Sequence, residues 1–286
     1  MSNWVQSCAV LLVLFVATAK LTYGQAQDAQ SAIIKSAHKA GALIAPIVVR
    51  VETEYAGTTE EHKTIKRHRR GTGAGFFVDE RGDIATAAHV VCHGNAGKEC
   101  MEDLATVTLA QTGEHIRKSG GLDLSVYIRY RKSPGVYSER IPATILAVDD
   151  KEDVAILQPQ AKLPAARQTN HINIYGVEVE LPALDSEGVE SDRFVSVDGF
   201  PLGTERLFTI YGKIIQTADT APTGQLDFLI AIGPKKIIEG YSGAPVTDVM
   251  SAKIIGVQSM IIQTEGEIGS NLAAAIPIRY IRALLK

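Results

Sequence analysis

The sequence predicts an all-β protein built as a barrel or a sandwich. About a dozen short segments read as strands, and Gly, Asp, Asn or Pro separates them at intervals of about eight to twelve residues. Helical and strand patterns do not alternate along the chain, which argues against a parallel βαβ fold. With 286 residues, of which 45% are hydrophobic, the chain can form one large domain or two small ones.

Residues 1–24 differ from the rest of the chain. The apolar run Cys8–Ala19 is followed by small residues, which is typical of a signal peptide, and it is too short to span a membrane comfortably. No Lys or Arg precedes this run, so an uncleaved anchor stays open as the alternative. Cleavage after Ala19 or Gly24 predicts an exported protein, periplasmic or secreted, with no stable membrane anchor and without Trp4, the only tryptophan.

The next segments are assigned in chain order. Residues 25–45 are rich in alanine and contain no helix breaker, which predicts a short N-terminal helix. The basic run Lys63–Arg70 is expected to be a solvated loop, with a processing site or a contact for anionic surfaces as alternatives. Residues 163–173, between the two groups of strands, are the best candidate linker. The end of the chain predicts a helix around Ile278–Leu285.

Charge and cysteine content restrict the function further. A formal net charge of −3 argues against a nucleic-acid binder. Cys92 and Cys100 close a short loop, and an even pair in an exported protein predicts a disulfide. A zinc site on His89, Cys92, His93 and Cys100 is the alternative, although the spacing fits no finger pattern. We expect no cofactor and no metal.

The stretch IIEGYSGAPVTD places a serine between two glycines. Glycine lets backbone N–H groups turn inward without a Cβ clash. Gly240 and Ser242 can therefore offer two N–H donors to an oxyanion beside the Ser242 hydroxyl, as acyl transfer requires. A single serine in a loop is more often a solvated turn residue, so the interpretation depends on a base and an acid elsewhere.

His89 and Asp153 are the candidates for that base and that acid. Histidine titrates near neutral pH, which suits a general base. His89 follows the small apolar strand IATAA, where an isolated histidine is a poor core residue, whereas His62 and His68 lie in the basic run. Asp153 directly precedes the apolar run VAIL, so it is the acid expected to be drawn into the interior and to orient the imidazole.

These residues lie in segments that resemble the trypsin-like peptidase domain of HtrA-type (Deg) serine proteases. The similarity covers roughly residues 40–286, and five segments follow the order of that family: GTGAGFFVDERGDIATAAHVV, DDKEDVAIL, VDGFPLGTERLFTIYGKI, EGYSGAP and NLAAAIPIRYIRALL. The resemblance implies a chymotrypsin-like fold of two six-stranded antiparallel β-barrels, about 46–165 and 172–286, within a peptidase domain at 46–286. It implies His89 as general base, Asp153 as its orienting partner, Ser242 as nucleophile, and Gly240 and Ser242 as oxyanion donors.

Three of the departures from the family pattern bear on activity. Tyr241 replaces a small polar residue before the serine, Ala244 replaces a glycine after it, and no PDZ domain is expected after the peptidase domain. These departures leave a second hypothesis open, namely a catalytically weak or inactive protein that binds ligands on a protease fold.

The resemblance also implies where a polypeptide substrate places its P1 side chain. Residues just before the serine motif form one wall of that pocket and a later strand forms the other: Lys236, Ile237 and Ile238, then Ser259, Met260 and Ile261. Apolar walls suit an aliphatic P1 residue, whereas Lys236 suits an acidic one. The oligomeric state stays open.

Overall fold

The computed structural model describes residues 23–59, 64–91, 106–108, 115–117, 123–133, 135–174, 176–185, 189–217, 228–233, 236–262 and 271–286. Two sequence predictions fall largely or wholly outside these ranges. They are the signal peptide at 1–24, of which only the last two residues are described, and the Cys92–Cys100 disulfide.

The helices and strands are labelled in chain order. They are α1 (Tyr23–Ile44), β1 (Val48–Thr59), β2 (Thr64–Phe77), β3 (Ile84–Ala87), α2 (Ala88–Val91), β4 (Thr106–Thr108), β5 (His115–Arg117), β6 (Asp123–Ser133), β7 (Val136–Tyr137), β8 (Ile141–Asp149), β9 (Val154–Pro159), β10 (His171–Ile174), β11 (Val177–Glu180), β12 (Phe194–Gly199), β13 (Phe208–Thr217), β14 (Phe228–Ile232), β15 (Pro245–Asp248), β16 (Ile254–Ile261), β17 (Leu272–Pro277) and α3 (Ile278–Leu284).

The strands close into two barrels. In the first barrel the order is β1-β2-β3-β9-β8-β6, and pairing of β1 with β6 closes the ring. In the second barrel the order is β12-β13-β14-β17-β16-β15. All of these pairs are antiparallel, which confirms the expected chymotrypsin-like arrangement of two six-stranded barrels with helices at both ends.

Apolar residues fill both barrels because the strands alternate as a half-buried sheet does. On β13, Ile210 and Ile214 are buried, whereas Tyr211 and Lys213, which lie between them, are only half-buried. The start of β9 is instead buried on both faces over 154–157, where the sequence is continuously apolar. Its burial on both faces places the residue just before it, Asp153, at the edge of the core.

The N-terminal helix joins the two barrels. Its residues Ala37, Ala40 and Ile44 are buried, and their spacing puts them on one face of α1. This helix contacts β12 of the second barrel, while the chain that leaves it enters β1 of the first. In the described part of the chain, no helix is both long and apolar enough to cross a membrane.

Two segments differ from the sequence expectation. Residues 64–70 were expected to be loop, but they continue β2 and pair with β1. The expected linker at 163–173 ends in β10, which pairs with β11 as a hairpin before the second barrel begins at Phe194. Residues 64–70 were not recognised as strand because they are mostly charged. A half-buried strand is identified in a sequence by alternation of apolar and polar residues.

Candidate active site

His89 and Asp153 are in direct contact, although 64 positions separate them in the chain. His89 lies in α2 directly after β3, and Asp153 lies in the turn before β9, which pairs with β3. The His89 Nδ1 atom lies 2.8 Å from Asp153 Oδ2 and 3.1 Å from Oδ1. An imidazole held through Nδ1 keeps its proton there and leaves Nε2 to accept another.

Backbone bonds fix this pair in place. The His89 N–H donates to Asp153 Oδ1 over 2.8 Å, and the Ala88 N–H donates to the Asp153 carbonyl over 3.0 Å. Asp153 adopts a left-handed conformation with φ of 52°, which aspartate tolerates better than most residues. The turn therefore aims the carboxylate at the start of α2.

Asp153 also accepts a hydrogen bond that sequence reasoning missed. The Ser259 hydroxyl donates to Asp153 Oδ2, across a separation of 106 positions. Burial raises the pKa of Asp153, but the hydrogen bond and charge of His89 and the Ser259 hydroxyl lower it, and the net pKa lies below its ordinary value of 3.8. Asp153 thus stays ionised at neutral pH and can stabilise an imidazolium.

Ser242 lies in a tight segment that we call the serine loop, residues 239–244. Two of its glycines have positive φ, 102° at Gly240 and 82° at Gly243. A Cβ at Gly240 would lie 2.1 Å from the Phe200 carbonyl oxygen. Glycine is thus required at Gly240 by both backbone conformation and space.

The backbone N–H groups of the serine loop differ in whether they have an acceptor. Among the described residues, the N–H groups of Gly240, Tyr241 and Ser242 have no hydrogen-bond acceptor. The next two N–H groups of the loop already have acceptors. Gly243 donates to Gln258 O over 2.7 Å, and Ala244 donates to Tyr241 O over 2.9 Å. The unused donors at Gly240 and Ser242, the pair expected from the sequence, can bind a developing negative charge.

The serine loop rests on the end of β12. The Phe200 N–H donates to Gly240 O over 3.1 Å, and the Leu202 N–H donates to Glu239 O over 2.7 Å. Tyr241 is buried, and a Cβ at Gly199 would lie 2.7 Å from its ring. Tyr241 therefore packs directly on the Gly199 backbone, which explains how the loop accommodates this large side chain.

Barrel 1 contacts Ser242 from the other side. The Ala74 N–H on β2 donates to the Ser242 carbonyl over 2.8 Å. The Ser242 hydroxyl donates a long hydrogen bond, 3.4 Å, to the Ser259 carbonyl. Since the Ser259 hydroxyl is bonded to Asp153, this one residue contacts both the serine and the acid.

The six residues expected to line the P1 pocket differ in exposure. Ile237 is fully buried in the hydrophobic core, whereas Ile238 is half-buried and Lys236 is exposed. On the opposite strand, Met260 is 51% exposed and Ile261 is half-buried. Ser259 is mostly buried and contacts the candidate acid and serine. The exposed surface offered by this set is therefore mixed, apolar at Met260 and charged at Lys236.

The zinc hypothesis depends mostly on residues outside the described ranges, namely Cys92, His93 and Cys100. Within the ranges that are described, no three His, Cys, Asp or Glu side chains cluster closely enough to hold a metal ion. The fourth candidate, His89, already uses Nδ1 on Asp153.

Comparison with known protein families identifies the domain. The family model of the trypsin-like peptidase domain matches residues 73–257, about two thirds of the chain. That range begins on β2, ends on β16, and contains His89, Asp153 and Ser242. None of the curated proteins compared with the chain matches it.

Proposed function

The chain belongs to the trypsin-like peptidase domain family, and on that premise we propose that it is a serine endopeptidase. The observation that carries the proposal is the pairing of His89 Nδ1 with Asp153, together with a serine loop whose Gly240 and Ser242 N–H groups have no acceptor among the described residues. A base, its acid, a hydroxyl and two oxyanion donors are the complete set that acyl transfer needs.

In the proposed mechanism, Ser242 Oγ attacks the scissile carbonyl carbon and its proton passes to His89 Nε2. The hydroxyl must first turn from the Ser259 carbonyl towards His89. Asp153 stabilises the imidazolium, and the Gly240 and Ser242 N–H groups stabilise the oxyanion. His89 then protonates the leaving amine. In the second half of the reaction, His89 takes a proton from the attacking water and then returns it to Ser242 Oγ as the acyl-enzyme is hydrolysed.

Labelling by a fluorophosphonate tests this proposal directly, because the reagent phosphonylates only an activated serine. The wild-type protein should react, while Ser242→Ala should not react at all. His89→Ala should react more slowly by roughly 1,000-fold or more, because it keeps the hydroxyl but loses the base. Equal labelling of the wild type and Ser242→Ala would place the reactive group elsewhere and refute the proposal.

The second candidate function is a protease fold that binds polypeptides without turnover. It is favoured by the Ser242 hydroxyl lying on the Ser259 carbonyl and by the replacement of the family residues at Tyr241 and Ala244. Both replacements are buried, so they alter the support of the loop and not its exposed surface. Absence of labelling in a folded wild-type protein would favour this candidate.

For the substrate we propose a polypeptide with an aliphatic P1 residue, bound in the manner of HtrA-type peptidases. The half-buried Ile238 and Ile261 and the exposed Met260 support an apolar contact, while Lys236 is the only charged member of the set. A panel of peptides that differ only at P1 decides between aliphatic and acidic preference. Faster cleavage after Asp or Glu than after Val or Leu would overturn the aliphatic assignment.

We also propose that the protein is exported and carries a Cys92–Cys100 disulfide. The support comes from the apolar run Cys8–Ala19 and from the even cysteine pair that remains after its removal. The exported protein should show no tryptophan emission and no free thiol before reduction. Two titratable thiols in the non-reduced exported protein would refute the disulfide.

A further inference from the structure

Asp198 is a buried acid that the proposed mechanism does not use. It lies near the end of β12 and is 0% exposed. Thr209 Oγ1 donates to its Oδ1, and Ser196 Oγ donates to its Oδ2 over 3.4 Å. Within the described residues no cationic side chain pairs with it. Burying a carboxylate without a cation is costly, so its retention calls for a reason.

The backbone that follows Asp198 supports the serine loop. The Tyr241 ring packs on the Gly199 backbone. The N–H groups of Phe200 and Leu202 donate to the Gly240 and Glu239 carbonyls. Any movement at the end of β12 is therefore passed to the Glu239 and Gly240 carbonyls, which lie on either side of the Gly240 N–H. Asp198 is placed where its own hydrogen bonds determine the position of that backbone.

The Asp198 charge also acts on its surroundings. Two titratable side chains face it, Tyr211 from β13 and Tyr241 from the serine loop. Burial raises the pKa of Tyr211 to about 12, with a further contribution from Asp198, and the same two causes raise the pKa of Tyr241. Both phenols therefore stay neutral near neutral pH. Asp198 is the one of these three groups that can change charge there.

We propose that Asp198 is a positioning residue for Ser242: its neutral carboxyl keeps the end of β12 bound to the serine loop, and its ionisation loosens that contact. The effect on catalysis rests on the proposed serine peptidase function, but the effect on the loop does not. When the carboxyl is neutral, one of its two hydrogen bonds reverses, so that the carboxyl O–H donates to Thr209 Oγ1 or Ser196 Oγ, whereas a buried anion gains by admitting water.

The pH range follows from the acid itself. Burial raises the pKa of Asp198 from 3.8 to about 6, against the lowering effect of the Thr209 and Ser196 hydroxyls. The closed arrangement has its full advantage below the pKa of the open one, 3.8, and loses it as the pH rises from there through about 6. A difference of about two pKa units limits the change in the opening equilibrium to roughly 100-fold.

Amide hydrogen exchange of Phe200 and Leu202 measures the contact without depending on catalysis. Both amides are bonded to the serine loop, so their protection factors report how often it detaches. In the wild type, protection should fall by roughly 10- to 50-fold between about pH 4 and about pH 7. In Asp198→Asn, which stays neutral, it should not vary with pH. Constant protection in the wild type, or the same fall in both proteins, would overturn the proposal.

A second pair of variants keeps the proposal testable if Asp198→Asn does not fold. Thr209→Val removes a hydrogen bond that lowers the pKa of Asp198, so the fall in protection should move to higher pH. Thr247→Val is the matched control, because its hydroxyl is buried on the adjacent β15 with no partner among the described residues. Equal midpoints in the two valine variants would overturn the proposal.

Fluorophosphonate labelling of the same samples separates this proposal from the proposed function. A fall in protection without labelling at any pH would support the role of Asp198 in the loop and contradict the peptidase function. Labelling with constant protection would support the peptidase function and contradict the role of Asp198. Where both hold, Asp198→Asn should keep a higher labelling rate than the wild type above about pH 7, with Thr247→Val unchanged.

Discussion

The Asp153 carboxylate receives hydrogen bonds from three donors, and each comes from a different kind of group. The His89 ring binds it through Nδ1, the His89 backbone N–H binds Oδ1, and the Ser259 hydroxyl binds Oδ2. The backbone bond cannot be removed by substitution, so Ser259 is the donor whose contribution can be measured without disturbing the imidazole. Hydrogen bonds to a charged group contribute about 1.5–3 kcal/mol.

Ser259→Ala should therefore weaken the site without abolishing it. We expect the fluorophosphonate labelling rate to fall by roughly tenfold, because the carboxylate is held less firmly and its pKa is lowered less. Ser251→Ala is the control, since Ser251 is an exposed turn residue on the same barrel. An unchanged rate in Ser259→Ala, with Ser251→Ala also unchanged, would show that the third bond does not affect reactivity.

At this scale the sequence could predict some of the site but not all of it. His89 and Ser242 lie in short local patterns, a small-residue strand end and a serine between glycines, so their chemistry is readable from neighbours. The hydroxyl of Ser259 carries no such pattern. Its contact with Asp153 depends on how β16 of one barrel meets the β8–β9 turn of the other, which no local property encodes.

At the scale of elements, the link between the β8–β9 turn and α2 brings His89 and Asp153 together. The Asp153 backbone carbonyl and side chain both accept N–H groups from the start of α2. The helix is only four residues long, so it has little stability of its own and depends on these bonds. Ionised Asp153 should consequently contribute to the stability of the whole fold.

Asp153→Asn tests this contribution through its pH dependence. The pKa of Asp153 is lowered in the folded protein, so its stabilising effect is present above the unfolded value of 3.8 and is lost as the pH falls through the folded value. The wild type should be more stable than the variant near neutral pH, and the difference should shrink below about pH 4. Urea unfolding at both pH values measures it.

Ser242→Ala keeps both Asp153 and His89 and provides the reference for that experiment. Its stability relative to the wild type should not depend on pH in the acidic range. If the difference between Asp153→Asn and the wild type were the same at acidic and neutral pH, the carboxylate would not be ionised more easily in the folded protein. The role assigned to the β8–β9 turn would then be wrong.

Elements also differ in how visible they are from the sequence. Strands with a buried and an exposed face, such as β13, show the expected alternation. The strand at residues 64–70 does not, because it carries a run of charged residues and pairs with β1 through its backbone. Backbone pairing does not depend on side-chain polarity, so periodicity cannot detect such an extension.

At the scale of the whole molecule, neither barrel contains a complete site. The first barrel carries His89 and Asp153, and the second carries Gly240 and Ser242. The barrels meet where the serine loop lies against β2 and β3: the Ala74 N–H binds the Ser242 carbonyl, and the Thr86 hydroxyl binds the Ala74 carbonyl. The position of Ser242 relative to His89 therefore depends on the contact between barrels.

Gly243→Ala should separate the barrels at this contact. An added Cβ would lie 2.1 Å from the Ala74 carbonyl oxygen and 2.3 Å from the Thr86 hydroxyl, with φ at 82°. We expect the free energy of unfolding, measured with urea, to fall by at least about 2 kcal/mol, and labelling to be lost even where the protein is folded.

Gly176→Ala is the matched control, because φ is 84° but no described atom lies within 4 Å of its added Cβ. It should cost about 1–2 kcal/mol for backbone conformation alone and keep the labelling rate. Equal labelling by the two variants would show that the serine reaches its base without this contact between barrels.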